Sequence, residues 1–271
     1  MVVPRSGGRV LRITLQLPTP RRWIVAALAA LSLAACGAAP PTEAINDPWE
    51  ANNRAVHEFN KGLDQALLRP AGRASAHLPE VIRVPVTNFA ANAGLPSAIV
   101  NNVLQGDIGG AATNIMRFVL NTTVGVLGLA DPAGAIGLYE VEADFGGTLA
   151  RWGVPEGAYL ELPVLGPSTE RDAAGQLVDY VLDPLGRLDN PRLDPIRRGE
   201  WPAWAAGRVI DRGQFSDTVD SVLYESADSY AQARLIYLQN RRFQLGQGAG
   251  DDHVDPYADS TAYIDPYEDQ P

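Results

Sequence analysis

Cysteine is almost absent from this chain of 271 residues, because Cys36 is the only one. A single thiol excludes an intramolecular disulfide, although an exported chain is allowed one. The first 35 residues hold five arginines and no acid. Residues 36–271 therefore carry 17 bases against 32 acids, a net charge of −15, and Lys61 is the only lysine among those bases. Such a surface excludes nucleic acid as a partner, since its phosphates are repelled, and argues against docking on anionic headgroups by charge alone.

The sequence also lacks a recognisable catalytic set. It has no Gly-x-Ser-x-Gly elbow, and its three histidines are scattered. His57-Glu58 matches the first two residues of the His-Glu-x-x-His motif of zinc proteases, but Lys61 occupies the position of the second histidine. Asp144, Glu161 and Asp172 can in principle supply an acid–base pair, yet capping and ion-pair roles are commoner. We therefore predict that the protein is not an enzyme and uses neither a metal ion nor a cofactor.

The position of Cys36 indicates a lipid anchor. It closes a Leu-Ala-Ala-Cys sequence, which matches the bacterial lipobox, and follows an uncharged apolar run over residues 23–35. Basic residues, an apolar run and a small-residue site predict a signal peptide over residues 1–35, and the run is too short to span a bilayer core of about 30 Å. Gly37 replaces the aspartate that favours inner-membrane retention, so we expect the outer membrane. The alternative is an ordinary cleavage site beside an unmodified thiol.

Helical periodicity dominates the rest of the chain, and no series of strands alternates with a period of two, so the predicted fold class is all-α. After a tether at 36–46, a helical domain is expected over 47–245. Asp47 is expected to cap the first helix with Glu50 completing a capping box, and Pro70 to end that helix. Further helices are predicted over residues 85–93, 96–104, 172–185, 203–212 and 216–243, and mostly irregular backbone over 140–172.

Residues 108–130 carry a single charge, Arg117, and several glycines. The segment is too short and glycine-rich for a spanning helix, which leaves either a buried helix with a loop or a segment lying in a bilayer leaflet. In the second interpretation Leu127 faces acyl chains, Asn121 faces a wet interior and Arg117 meets phosphate headgroups. Arg117 and Arg171-Asp172 border apolar sequence. Each of these charges is therefore expected either to form an ion pair inside the protein or to line a water-filled space.

The C-terminal stretch 246–271 holds seven acids and no Lys or Arg, and it repeats Asp255-Pro256-Tyr257 at 265–267. This composition predicts a disordered acidic tail. Asp251, Asp252 and His253 offer metal-ligating atoms, but a solvated tail is the favoured interpretation.

Short motifs along the chain point to one family. They are Asp47-Pro48-Trp49-Glu50, Asn53-Arg54, Phe59-Asn60, Leu68-Arg69-Pro70, Asn88-Phe89, Leu104-Gln105-Gly106, Arg117-Phe118, Asn121-Thr122-Thr123-Val124-Gly125, Asp144-Phe145-Gly146, Trp152-Gly153-Val154, Leu162-Pro163, Leu165-Gly166-Pro167-Ser168 and Arg171-Asp172. Taken in order behind a lipobox, they resemble the MlaA (VacJ) family over about residues 47–185. Glu161 departs from the family, which usually carries an apolar residue there.

The resemblance implies a helical ring embedded in the outer membrane. Such a protein extracts mislocalised phospholipids from the outer leaflet and passes them through an amphipathic channel to a periplasmic lipid carrier, maintaining lipid asymmetry, and it associates with a trimeric porin. The candidates for lining the channel or facing the membrane are Asn53, Arg54, Phe59, Asn88, Phe89, Arg117, Phe118, Asn121, Leu127, Asp144, Phe145, Trp152, Arg171 and Asp172. The alternatives are a tethering lipoprotein that holds a partner with its acidic tail and, more distantly, a lipid-cleaving enzyme.

Overall fold

The computed structural model describes residues 45–187 and 190–246. Cys36, the signal peptide, most of the tether and the tail from residue 247 lie outside this part of the chain. The described elements are α1 (Glu50–Leu63), a π-helical turn (Asp64–Leu68), α2 (Arg69–Ala76), α3 (Glu80–Leu104), α4 (Ile108–Thr123), α5 (Pro132–Ala135), α6 (Phe145–Arg151), β1 (Tyr159–Leu162), β2 (Gly166–Thr169), α7 (Glu170–Leu182), α8 (Pro184–Arg187), α9 (Asp194–Gln214), α10 (Ser216–Asp220), a second π-helical turn (Ser221–Glu225) and α11 (Ser229–Gln244).

The first helix does not end at Pro70, so that prediction is wrong. A π-helical turn joins α1 to α2, and in it the amide of Arg69 bonds to the carbonyl of Asp64, five residues back. Pro70 then lies in the first turn of α2, a position at which proline is tolerated. The helix continues to Ala76.

α3 is one helix of 25 residues from Glu80 to Leu104, where the sequence predicted two. Pro85 and Pro96 lie inside it, and each removes one helical hydrogen bond. α3 packs against both α4 and α9 and buries Leu95 almost completely. We attribute the continuous helix to this packing, which outweighs the two lost bonds.

The single helix predicted over 216–243 is instead interrupted after the second π-helical turn, so that α11 is a separate helix. After the second π-helical turn, Ser226 takes an extended backbone with ψ 150°, and Asp228 then caps α11 by accepting a 3.0 Å bond from the amide of Ala231. The predicted helices at 172–185 and 203–212 are present as α7 and as the second half of α9.

A small antiparallel hairpin interrupts the helices. β1 pairs with β2 so that Tyr159 lies opposite Thr169 and Leu162 opposite Gly166. Tyr159 and Glu161 point inward along β1. Since one of the two inward residues is a glutamate, the alternation of apolar and polar residues that identifies a strand is hidden in the sequence.

Residues 108–130 form α4 followed by tight turns. Val126 and Leu127 have φ of 54° and 61°, a left-handed conformation that is uncommon for residues other than glycine. Hydrogen bonds from the amides of Leu127 to Thr122 (3.0 Å) and of Gly128 to Asn121 (2.8 Å) close the turn against the end of α4. None of the helices in the described part of the chain has the length and apolar character that a membrane span requires.

The interior is unusually polar. One apolar cluster joins Ala93, Leu185 and Ile196, and another joins Tyr159, Tyr230 and Leu238. Between the helices lie asparagines that are at most 1% exposed: Asn92, Asn101, Asn102 and Asn114. Asn114 donates to Asn102 at 2.8 Å, Asn101 to Asp179 at 2.8 Å and Asn92 to Thr122 at 3.1 Å. These bonds offset much of the cost of burying the amides, and Oδ1 of Asn92 alone among these groups is buried without a partner in the described part of the chain.

α2 and α9 cross closely at a pair of glycines. A Cβ on Gly213 would lie 2.2 Å from the carbonyl oxygen of Gly72, and a Cβ on Gly72 would lie 2.9 Å from the amide nitrogen of Gly213. Both obstacles are backbone atoms, so neither can move aside without shifting a helix. Glycine at these two positions therefore fixes the distance between α2 and α9.

We predict that Gly213→Ala lowers the free energy of unfolding by about 1–3 kcal/mol, because the new methyl overpacks this crossing. The matched control is Gly62→Ala in α1, where no atom lies within 4 Å of the added Cβ. That change should stabilise the protein by about 0.5–1 kcal/mol. Denaturant unfolding of both variants measures the contrast, and equal effects of the two changes would show that the crossing is not tight.

Candidate functional site

A cavity of about 620 Å³ lies between α1–α2, the hairpin and the helices from α9 to α11. This volume is within the range of about 300–1,000 Å³ usual for ligand sites. Its walls are mostly apolar, and the apolar side chains that line it are Leu63, Leu67, Leu68, Ala71, Val164, Leu165, Pro167, Trp204, Ala205, Val209, Phe215, Val219, Leu223 and Ala233. Leu67 and Phe215 are more than half exposed, so the cavity opens to the surface.

One wall of the cavity is held by a buried ion cluster. Arg212 donates two hydrogen bonds to Asp64, of 2.7 and 2.9 Å, and both side chains are at most 7% exposed. It also bonds to Asp220, which accepts from Arg69 as well. Burial raises the pKa of Asp220, but the bonds from Arg69 and Arg212 outweigh it and lower that pKa to about 2. The cluster therefore stays ionised and ties α9 to the π-helical turn after α1.

A second polar group lies at the end of the cavity beside the hairpin. Nε2 of His57 is 3.1 Å from Oγ of Ser229, and Nδ1 is 3.5 Å from Glu161. Glu161 also accepts a bond from Tyr159. This order of groups resembles a serine–histidine–acid series, but Ser229 is buried and is not part of the cavity lining. A molecule in the cavity therefore does not reach its hydroxyl, which weakens the lipid-cleaving alternative.

Asp47 is not a helix cap, so that prediction is wrong. Trp49 occupies the capping position of α1 without a side-chain bond, and Glu50 pairs with Arg54 instead of reaching back. The carboxylate of Asp47 accepts bonds from Tyr230 and Arg234 of α11 and one from Asn53. The side chain of Asp47 thus fixes the start of the described chain to α11 and to Asn53 of α1, and it does not cap the first turn of α1.

The predicted residues Asn53 and Arg54 lie in the same region, where α1 contacts β1 and the start of α11. Asn53 is buried and donates to the carbonyl of Tyr159 at 3.0 Å. Arg54 makes two bonds to Asp228, of 3.0 and 2.8 Å, and lies over the ring of Tyr230. Both side chains therefore connect α1 to other elements.

Arg117 and Asn121 pair internally on α4. Arg117 is 6% exposed, and it bonds to the carbonyl of Leu138 and, at 3.2 Å, to Asp131. Asn121 donates to Asp131 at 2.8 Å. Both terminal nitrogens of Arg117 are used to fix the loop after α4, and its Nε is buried without a partner in the described part of the chain. The contact of Arg117 with headgroups stays a prediction.

Asp144 and Asp172 share one arginine. Arg241 donates to Asp144 at 2.7 and 2.8 Å and to Asp172 at 3.0 Å, and Tyr237 donates to Asp172 at 2.7 Å. Burial raises the pKa of Asp172, but the bonds from Arg241 outweigh it, so the pKa lies below its ordinary value. Arg171 is also buried, 3.5 Å from Asp172. These charges fasten α11 to α6 and α7 and do not form an acid–base pair.

The remaining candidates lie at several places on α1, α3, α4 and α6. Asn88 donates to the carbonyl of Leu129 at 3.3 Å. Phe89 and Leu127 pack against the cluster that contains Ile196. Phe118 is half-buried. Phe145 packs edge to face on Trp152, and Trp152 and Phe59 are more than half exposed.

None of the fourteen candidates lines the 620 Å³ cavity. The structure brings several of them together in pairs and small clusters that fix loops and helix ends, and Asp144 and Asp172 line a separate cavity of about 170 Å³. The sequence nevertheless carried a signal for the cavity, since Leu63 and Leu67 recur on one face of the first helix and Lys61 is the only lysine. All three line the cavity. In the described part of the chain, no group of three or more His, Cys, Asp or Glu side chains could hold a metal ion, while Asp251, Asp252 and His253 lie outside it.

Exposed apolar side chains concentrate on α3, on α4 and in the segment that follows. They are Val81, Ile82, Val84, Val100, Val103, Ile108, Ile115, Met116, Val119, Val124, Val126, Leu129, Ile136 and Tyr139. We call these residues the apolar belt. Water-soluble monomers rarely expose so many apolar residues on neighbouring elements, and such surfaces mark contacts with a protein or a membrane.

We predict that Asp47→Ala lowers the free energy of unfolding by about 3–5 kcal/mol, because it leaves Arg234 buried without its carboxylate. The side chains of the pair are 4% and 14% exposed. Asp107→Ala is the matched control, since Asp107 caps α4 by accepting a 2.8 Å bond from Gly110, and loss of a cap costs about 1 kcal/mol. Equal losses in denaturant unfolding would mean that the Asp47 pair is of little importance.

Comparison with known proteins gives consistent matches. The family model described as MlaA lipoprotein matches residues 45–244. The Escherichia coli (strain K12) protein named intermembrane phospholipid transport system lipoprotein MlaA is 34% identical over 208 residues, covering 75% of this chain and 80% of that protein. A similarly named Haemophilus influenzae protein is 26% identical over 233 residues, covering 83% and 90%, and an uncharacterized Rickettsia bellii protein is 33% identical over 199 residues, covering 73% and 76%.

A solved structure has a similar fold. It was described as a structural basis for maintenance of bacterial outer membrane lipid asymmetry, and it matches with a TM-score of 0.60 and 33% sequence identity. The match covers 73% of this chain and 98% of the solved chain. The mainly helical architecture is therefore shared with that protein.

Proposed function

Because this chain belongs to the MlaA lipoprotein family, we propose that it is an outer-membrane lipoprotein that transports phospholipids and maintains the lipid asymmetry of that membrane. The observation that carries this proposal is the open cavity of about 620 Å³ with apolar walls. Apolar walls accept acyl chains, and the polar groups at the end of the cavity suit a headgroup. The cavity is the candidate channel through which a phospholipid leaves the outer leaflet.

The apolar belt supports a body embedded in the membrane. Since α3 and α4 are not membrane spans, their exposed valines and isoleucines suit a body that lies within one leaflet instead of crossing both. We propose a helical ring in the inner leaflet of the outer membrane, anchored on the periplasmic side by acyl chains on Cys36. Several acyl chains, at about 0.8 kcal/mol per buried methylene, make such an anchor stable.

Two partners complete the proposal. A periplasmic lipid carrier would receive the phospholipid, since a free lipid does not cross water unaided, and a trimeric porin would hold the ring in place. The tethering alternative gives no role to the cavity, and we therefore favour transport.

Filling the cavity tests the transport role. Ala71→Trp places an indole in the lining of the cavity, and we expect it to abolish the rescue of outer-membrane lipid asymmetry in cells that lack a functional copy. Ala74→Trp is the control, because Ala74 lies on the same helix, is exposed and does not line the cavity. Full rescue by Ala71→Trp at normal protein level, measured by outer-leaflet phospholipid labelling, would contradict transport through this cavity.

Two neighbouring residues test the apolar belt. Val126 is 64% exposed, and aspartate tolerates its left-handed backbone, so Val126→Asp should leave the melting temperature unchanged. In a leaflet the charge costs up to about 2.5–3.5 kcal/mol, and we expect faster hydrogen exchange of residues 118–130 in bilayers and slower lipid transfer. Leu127→Asp should instead lower the melting temperature, because Leu127 packs against the core. Unchanged exchange in the Val126 variant would place the belt outside the membrane.

A further inference from the structure

Two cations in the cavity lining have no carboxylate partner. Arg212, the third basic residue of the lining, is committed to Asp64. Lys61 and Arg208 also line the cavity, and no carboxylate oxygen of the described residues lies within 4 Å of either charged group. This is unexpected because residues 36–271 carry 32 acids against 17 bases.

Aromatic rings support both cations. The ammonium of Lys61 lies 5.8 Å from the ring centroid of Tyr224 and 3.4 Å from Oγ of Ser229. The guanidinium of Arg208 lies 5.6 Å from the ring centroid of Trp204. A cation–π contact positions a cation without neutralising it, so each charge remains free to attract an anion.

The carboxylates of the lining do not cancel these charges. Asp64 is paired with Arg212, and Glu161 is engaged by Tyr159 and His57. Asp211 is exposed on α9, three residues after Arg208, and no basic group of the described chain lies within 4 Å of it. The lining thus offers two unpaired positive charges and one unpaired negative charge. This balance suits a ligand with a negatively charged group, either alone or together with one positively charged amine.

We propose that Lys61 and Arg208 bind the phosphodiester of a phospholipid headgroup while the acyl chains lie along the apolar walls. Arginine and lysine donate charge-assisted hydrogen bonds to phosphate oxygens. The inference rests on the proposed transport function and adds the groups that recognise the headgroup.

The test measures binding of short-chain lipids to the purified full-length protein. The ligands are a phosphatidylethanolamine and a diacylglycerol with the same acyl chains, and inorganic phosphate. The variants are Lys61→Gln, Arg208→Gln and the double change. Arg198→Gln is the matched control, because Arg198 is 79% exposed on the same helix and lies outside the lining.

We expect each cation removed to weaken phosphatidylethanolamine binding at least about tenfold, which corresponds to about 1.4 kcal/mol, because a charge-assisted hydrogen bond to the phosphate is lost. Diacylglycerol binding should stay unchanged, the control variant should bind both lipids normally, and Lys61→Arg should retain affinity. Melting temperatures verify that the variants fold. Asp211→Asn should tighten the binding of phosphatidylglycerol, which has no amine to pair with that carboxylate.

Three results would overturn the inference. Unchanged phosphatidylethanolamine affinity in the double variant would put the phosphate elsewhere, and equal losses for both lipids would make the two cations structural. Competition by inorganic phosphate at the same concentration as the lipid would mark a site for free anions. Failure of the unaltered protein to bind either lipid would instead reject the proposed function itself, so the two failures are distinguishable.

Discussion

Arg212 and Asp64 form the buried ion pair on which the cavity depends. Their bidentate hydrogen bonds join α9 to the π-helical turn between α1 and α2. Gly213, which contacts Gly72 of α2, directly follows Arg212 in sequence. An ion pair buried this deeply is costly unless additional hydrogen bonds support it. Asp220 and Tyr224 supply such bonds to Arg212 and Asp64 respectively, and only Nη1 of Arg212 lacks a partner in the described part of the chain. One side of the cavity is therefore rigid, while the hairpin and α11 form the other.

The distribution of polarity in this protein is partly inverted. Asparagines, arginines and carboxylates occupy buried positions where they bond to each other, and the apolar belt on α3 and α4 is exposed. In water this arrangement leaves apolar surface unfavourably hydrated. In a lipid leaflet the same surface is well solvated, and internal pairing of polar groups becomes a requirement. The proposed membrane location accounts for both halves of the pattern.

Sequence reasoning predicted the helical class and the apolar character of residues 108–130, because both depend on local composition and periodicity. It failed where distant residues decide the outcome. The role of Asp47 depends on Arg234, which lies far along the chain, and the alternation in β1 is broken by Glu161, which is stabilised by Tyr159 and His57.

The proline predictions failed for a related reason. A local rule ends a helix near Pro70 or Pro96, but a π-helical turn accommodates the first and packing against α4 and α9 sustains the second. The cavity itself was not predictable, since its lining comes from four separated stretches of chain. The only sequence signals for the cavity were the single lysine, Lys61, and the apolar helix face that contains Leu63 and Leu67.

The central claim is that a phospholipid occupies the cavity. The most direct measurement is photo-crosslinking in bilayers with a phospholipid that carries a photoreactive group on one acyl chain, followed by mapping of the labelled peptides. The account predicts labels on cavity-lining residues such as Leu67 and Leu223, in addition to labels on the apolar belt, which contacts bulk lipid. Labels on the belt alone, with none in the cavity, would contradict it.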